Sequence, residues 1–187
     1  MIINILPSSL LIFALAQSGF AAAENPATDS SLFTENAGCL EGPMAQFGSY
    51  IGKWKIGDSQ LQEDGVTWKE GAGARWDFVC LGNGTAVQDF WMPNGGGVGT
   101  NLRTYNVDSE SWDIAWTVTG MSGFAHIQAK QQANGDIAMM YKSPVPTPLR
   151  RITFFPPEPD AWNWKLEVST DDGETWAEVY RIVATRI

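Results

Sequence analysis

From residue 50 to the C-terminus, apolar residues recur at alternate positions in short runs, and the runs are separated by Gly, Asn, Asp and Pro. Trp162, Trp164, Leu166 and Val168, set against Asn163, Lys165 and Glu167, are the clearest case. A period of two buries one face of a strand and leaves the other to solvent. The same reading predicts strands over 50–57, 67–80, 85–92, 100–107, 111–117, 123–131, 136–142, 149–155, 161–170 and 175–185. Asn83-Gly84 and Asn134-Gly135 lie between such runs. Asn-Gly there marks a tight hairpin, because the favoured turn needs positive φ at its central residues. Asp108-Ser109-Glu110 and residues 156–160 read as further turns, and three prolines exclude a central strand over 143–148. A short helix is expected over 40–49, with Leu40, Met44 and Phe47 turned toward the sheet.

Ten short strands joined by tight turns define an all-β fold, either a sandwich or a barrel. Successive hairpins favour a single antiparallel up-and-down β-barrel of about ten strands, preceded by the short helix. Closure removes exposed edges, and a barrel of this size has room for one small ligand. The stretch Pro93-Asn94-Gly95-Gly96-Gly97-Val98-Gly99 is then a loop at the barrel mouth, read as a lid. It lacks the Gly-Lys-Ser/Thr of a phosphate loop and joins two strands instead of opening a helix.

The first 23 residues differ from the rest. They carry no Asp, Glu, Lys or Arg, and hold the apolar run Leu10-Leu11-Ile12-Phe13-Ala14-Leu15-Ala16 ahead of Ala21-Ala22-Ala23. This reads as a secretory signal peptide over 1–23, cleaved near Ala23. The run falls short of the ~20 apolar residues that a membrane span needs, and no later stretch approaches it, so the mature protein is expected to have no membrane span. Residues 24–39 read as a flexible leader, and 40–187 as the barrel domain. The expected location is the periplasm or the exterior.

The net charge of −9 repels phosphate backbones and argues against nucleic acid as a partner. Nine Trp and nine Phe supply either core packing or the lining of a ligand cavity. Export places Cys39 and Cys80 where disulfides persist, and a bridge would pin the leader to a strand. Two small buried thiols are the other option.

Gly52-Lys53-Trp54 opens the first strand, just after the helical turn. Here the chain resembles the lipocalin and calycin families, whose Gly-x-Trp closes one barrel end under an Arg of the last strand. The resemblance implies a structural role for Trp54, with Arg181 or Arg186 across its ring. Val87-Gln88-Asp89-Phe90-Trp91, Gly99-Thr100, Leu102-Arg103-x-Tyr105, Trp112 and Trp116 resemble more closely a group of bacterial exported calycin-like proteins without an agreed function. That resemblance spans about 45–185 and implies the barrel but no activity.

Ser169-Thr170-Asp171-Asp172-Gly173-Glu174-Thr175-Trp176 fits the Asp-box pattern of sialidase-type propellers. It occurs once, so it is read as a structural hairpin: Asp171 accepts backbone N–H bonds, Gly173 takes positive φ, and Trp176 packs beneath.

The polar residues of interest are Asp89, Arg103 and Tyr105. Asp89 falls in register with Val87 and Trp91, and Arg103 shares a face with Tyr105. If that face is inward, an ion pair and a phenol stand in an aromatic hollow and suit a polar ligand group. If it is outward, the pair is a surface salt bridge. The inward reading gives a ligand site of Trp76, Phe78, Asp89, Trp91, Arg103, Tyr105, Trp116, Phe154, Trp164 and Tyr180. Arg103 would meet a carboxylate or phosphate and Tyr105 would add a hydrogen bond. Arg103→Ala is expected to remove binding and leave folding largely intact.

The function expected first is binding of a small hydrophobic or aromatic molecule with an acidic group. The alternative is a cofactor-independent isomerase, cyclase or hydratase in the same hollow, with Asp89 and Tyr105 as the acid–base pair. A third option is an interaction module whose aromatics are all core. His126, the sole histidine, is an acid–base or haem-ligand candidate, though a half-exposed strand residue is the commoner case. One His and two Cys do not make a usual zinc site. No metal and no cofactor are expected, and the oligomeric state is open.

Overall fold

A computed structural model describes residues 37–187. The expected signal segment, its expected cleavage point and most of the expected leader therefore lie outside the described residues. Two 3₁₀ turns (Ala37–Leu40 and Gly42–Met44) lead into one helical turn, α1 (Ala45–Gly48). Eleven strands follow: β1 (Gly52–Leu61), β2 (Trp68–Glu70), β3 (Ala74–Leu81), β4 (Ala86–Pro93), β5 (Gly99–Asn106), β6 (Ser111–Val118), β7 (Ala125–Gln131), β8 (Ile137–Ser143), β9 (Leu149–Phe154), β10 (Ala161–Ser169) and β11 (Ala177–Arg186). All pair antiparallel. From β3 onward each strand pairs with the next, and β11 returns to β1, from Trp54↔Arg186 to Gln60↔Tyr180. Ten strands thus close an up-and-down barrel, and β2 is an extra strand on the β1 edge.

The expected long strand over 67–80 is cut in two. β2 and β3 both pair with β1, β2 at Ser59–Leu61 and β3 at Gly52–Ile56. Between them, Asp58 diverts the backbone. Its carbonyl accepts from Gly71 N–H and its carboxylate from Gly73 N–H, each at 2.9 Å. Asn94 ties off the other side by donating its side-chain amide to the Ala72 carbonyl at 2.7 Å. The 83–84 hairpin is also shifted by one residue. Positive φ falls on Gly82, Asn83 and Gly84, and Gly84 N–H bonds back to the Leu81 carbonyl.

The helical segment caps one barrel end. It is shorter than expected, because 3₁₀ turns replace its first half. Phe47 and Tyr50 are buried, Met44 is half-buried and Leu40 is 55% exposed, so Leu40 does not face the core as expected. Phe47 packs edge-on against Trp112 and Phe154 (centroids 5.0 and 5.6 Å apart), and Tyr50 against Phe154 and Trp162. The Tyr50 hydroxyl donates to the Phe155 carbonyl at 2.7 Å. A Cys39–Cys80 disulfide, with Cα atoms 6.0 Å apart, ties this cap to β3.

Trp54 lies at the capped end with its ring fully buried, and its indole N–H donates to the Tyr50 carbonyl at 2.7 Å. The Arg186 guanidinium lies 4.1 Å above the ring centroid. Gly52 makes room for it: a Cβ there, at φ +142°, would stand 2.4 Å from the Arg186 Nη1. Arg181, the other candidate, stacks instead on Trp68 at 3.9 Å. It is one residue out of phase with Ile182 and Tyr180, so it points outward.

The Asp-box segment is a knotted hairpin between β10 and β11. Asp171 accepts from the Ser169 hydroxyl (2.7 Å) and the Thr175 N–H (2.9 Å), Gly173 has φ +93°, and the Trp176 indole N–H donates to the Gly173 carbonyl at 3.0 Å. These bonds hold the Asp171 carboxyl down at about 2. Trp176 lies under the Arg151 guanidinium, 4.4 Å from its ring centroid.

Candidate ligand-binding site

The barrel interior is filled at the capped end and hollow beyond it. Trp54, Phe78, Phe154, Trp162, Phe47 and Tyr50 interlock there at centroid spacings of about 5–6.5 Å. Beyond them is a cavity of about 320 Å³, lined by Trp76, Trp91, Asn101, Arg103, Trp116, Ile127, Met139, Tyr141, Arg150, Ile152, Phe154, Trp164, Leu166, Tyr180 and Ile182. Its size and its mostly apolar wall with few polar groups are those of a small-molecule site.

Alternation along the strands places these side chains. Trp76 and Phe78 on β3, Asp89 and Trp91 on β4, and Asn101 and Arg103 on β5 all point inward, with the residues between them outward. Gly99 opposes Trp91 and Val118. A Cβ on Gly99 would stand 2.3 Å from the Trp116 ring, so a glycine there lets the indole come close against β5 at the cavity wall.

Asp89 and Arg103 are both fully buried. Arg103 sits opposite Val87, so Asp89 reaches it along the diagonal of the ladder. Arg103 Nη2 and Asp89 Oδ2 form the ion pair. Asn101 completes the carboxylate's shell, donating Nδ2–H to both oxygens at 3.1 Å and its backbone N–H to one at 3.2 Å. The guanidinium carbon lies 4.7 Å from the Phe47 centroid, 5.3 Å from that of Phe78 and 5.9 Å from that of Phe154. It therefore rests on the aromatic plug as part of the cavity floor. Burial pulls the Arg103 pKa down, and Asp89 opposes that pull. Nε and Nη1 of Arg103 have no hydrogen-bond partner among the described residues, and neither does Trp76 Nε1.

At the other extreme Arg150, on β9, is exposed and lines the cavity beside Tyr141 of β8. Burial raises the Tyr141 pKa, and Arg150 opposes the rise. The Tyr180 hydroxyl donates to Asp58 Oδ2 at 2.6 Å, and burial together with that carboxylate pushes its pKa up.

Of the ten residues expected at the site, Trp76, Trp91, Arg103, Trp116, Phe154, Trp164 and Tyr180 line the cavity. Three do not. Phe78 lies under the floor, packed on Tyr50 and Trp162. Asp89 stands behind Arg103. Tyr105 packs against Trp112, centroids 5.4 Å apart, at the filled end, because β5 has passed the cavity by that residue. Asp89 and Tyr105 therefore share no open volume in which to act as a pair. Arg103→Ala, expected to leave folding largely intact, would strand the buried Asp89 carboxylate, so a loss of stability is predicted instead.

Among the lining residues, sequence reasoning missed the polar Asn101, Tyr141 and Arg150 and the apolar Ile127, Met139, Ile152, Leu166 and Ile182. Asn101 was legible, two residues before Arg103 on the same face. Arg150-Arg151 was not, because adjacent arginines leave open which one turns inward. His126 lies on the outer wall, Nε2 2.8 Å from Asp113 Oδ1, with both side chains about two-fifths exposed. Among the described residues no group of three or more His, Cys, Asp or Glu is placed to hold a metal.

Fold and cavity together define a calycin-like barrel with an aromatic, arginine-bearing hollow. The barrel is similar to that of the S-type phycobiliprotein lyase CPES from Guillardia theta, at 11% identity and a TM-score of 0.53 over 82% of this chain and 97% of the other. Rv2717c from M. tuberculosis is also similar, at 10% identity and a TM-score of 0.49 over 79% of this chain and 99% of the other. The first likeness supports the fold. No protein-family model and no curated protein matches the sequence.

Proposed function

We propose that the chain is an exported binding protein that holds a small hydrophobic or aromatic molecule, carrying an acidic group, in the barrel cavity. The supporting observation is an apolar hollow of about 320 Å³ whose lining includes two arginines, Arg103 buried in the floor and Arg150 exposed to solvent. An interaction module has no use for such a volume, and a hollow that served only packing would gain by being filled. The Cys39–Cys80 disulfide agrees with an oxidising compartment. No helix among the described residues is long and apolar enough to cross a membrane.

A ligand that binds only the folded state raises the melting temperature by mass action. A thermal-shift screen of matched compounds tests the proposal. Apolar aromatic acids should stabilise the protein more than their neutral hydrocarbon analogues and more than small polar acids such as acetate. Equal, negligible shifts across all three sets refute it.

A further inference from the structure

The two arginines of the cavity are electrically unlike. Arg103 is fully buried, and Asp89 already cancels its charge. Arg150 is exposed and has no ion-pair partner among the described residues. A carboxylate lowered to the floor would be the second anion around one buried cation, and it would shed its hydration to get there. Such burial is costly unless every charge is paired. Yet the floor is not chemically silent. Arg103 Nε and Nη1 and Trp76 Nε1 are buried donors without acceptors, and both side chains line the cavity. They also share Phe154 and Phe78 as neighbours. Donors left unmet in a dry site cost the fold stability, and a ligand oxygen that meets them recovers it.

Resting on the binding function proposed above, we infer that the ligand enters with an uncharged oxygen acceptor first. A carbonyl of ketone, quinone or amide type accepts from Arg103 and Trp76 at the floor. The acidic group stays outermost and faces Arg150 at the mouth. The ligand is thus a flat apolar body with a neutral acceptor at one end and an anion at the other.

Three naphthalenes of one shape test this, with quenching of the intrinsic tryptophan fluorescence as readout: 6-acetyl-2-naphthoate, 6-ethyl-2-naphthoate and 2-acetyl-6-ethylnaphthalene. The acetyl acid should bind about tenfold or more tighter than the ethyl acid, because only the acetyl oxygen serves the buried donors. Trp76→Phe, which keeps the ring and deletes the N–H, should shrink that ratio. Arg150→Met should weaken the acetyl acid by about two- to fivefold, an effect that fades with salt, and should leave the neutral ketone unchanged. Equal binding of the acetyl and ethyl acids overturns the inference while leaving a working cavity. So does a carboxylate preference that survives Arg150→Met, which would put the anion at the floor. If none of the three quenches at any soluble concentration, the cavity itself does not bind such molecules, and the proposed function falls with the inference.

Discussion

Arg103 and Asp89 face each other inside the barrel with no solvent access to either, and Asn101 clamps the carboxylate from the other side. A buried pair of this kind is a weak source of net stability but is destructive to break. Its position at the cavity floor fixes the guanidinium N–H groups in one place.

Removing one partner should therefore cost more than removing both. Asp89→Ala is expected to lose about 3–5 kcal/mol of folding stability, since it leaves an unpaired buried cation. The double replacement Arg103→Met with Asp89→Leu should recover most of that loss and still abolish the preference for ligands with an oxygen acceptor. Urea unfolding of the two variants measures the difference. A double variant no more stable than Asp89→Ala would show that the pair itself holds the barrel together.

The disulfide closes a loop across a sequence separation of 41 and ties the cap to β3. Replacing both cysteines by serine should lower stability by about 2–4 kcal/mol, chiefly by freeing the unfolded chain. The cap carries Phe47 and Tyr50, so the floor should loosen as well. Melting with and without a reductant checks the first effect, and near-ultraviolet circular dichroism of the aromatic cluster checks the second.

Arg186 covers the Trp54 ring and also donates its Nε–H to the Pro159 carbonyl at 2.7 Å. Arg181 makes a stack of similar closeness on half-buried Trp68, outside the barrel. Arg186→Ala is expected to cost about 1–3 kcal/mol, the hydrogen bonds to the Pro159 and Ile51 carbonyls plus a cation–π contact on a buried ring. Arg181→Ala should cost under about 1 kcal/mol, because its charge is exposed. Denaturant midpoints of the two variants decide between an end-closing role and a general surface effect.

The barrel was legible because strand alternation and turn chemistry are local. Trp162 and Trp164 announce an inward face on β10, and Gly52-Lys53-Trp54 marks where the closed end begins. What sequence could not give was depth. Tyr105 and Arg103 share a face of β5, yet one packs on Trp112 in the plug and the other lies at the cavity floor. Only the stagger of neighbouring strands around a closed wall decides that. The break between β2 and β3 was equally hidden. It arises from Asp58, distant in sequence, taking the backbone N–H groups of Gly71 and Gly73.

The Asp171 carboxyl is held at about 2 by hydrogen bonds from Ser169 and Thr175. Its folded-state pKa lies below the unfolded value, so its contribution is present above about pH 4 and is lost as pH falls through about 2. Glu167, drawn down by Arg151 and Lys165 against the effect of its burial, acts in the same direction. Asp171→Asn should therefore flatten the acid limb of the stability profile between about pH 4 and 2. Carboxyl titration followed by nuclear magnetic resonance should place the wild-type midpoint near 2.

Native mass spectrometry of the protein purified from its own host without organic solvent tests the proposed binding function most directly. A single retained organic molecule is expected, released on denaturation, apolar in its body and acidic at one end. A mass equal to that of the bare polypeptide in every charge state, together with no uptake of aromatic acids offered afterwards, would contradict a ligand-holding barrel.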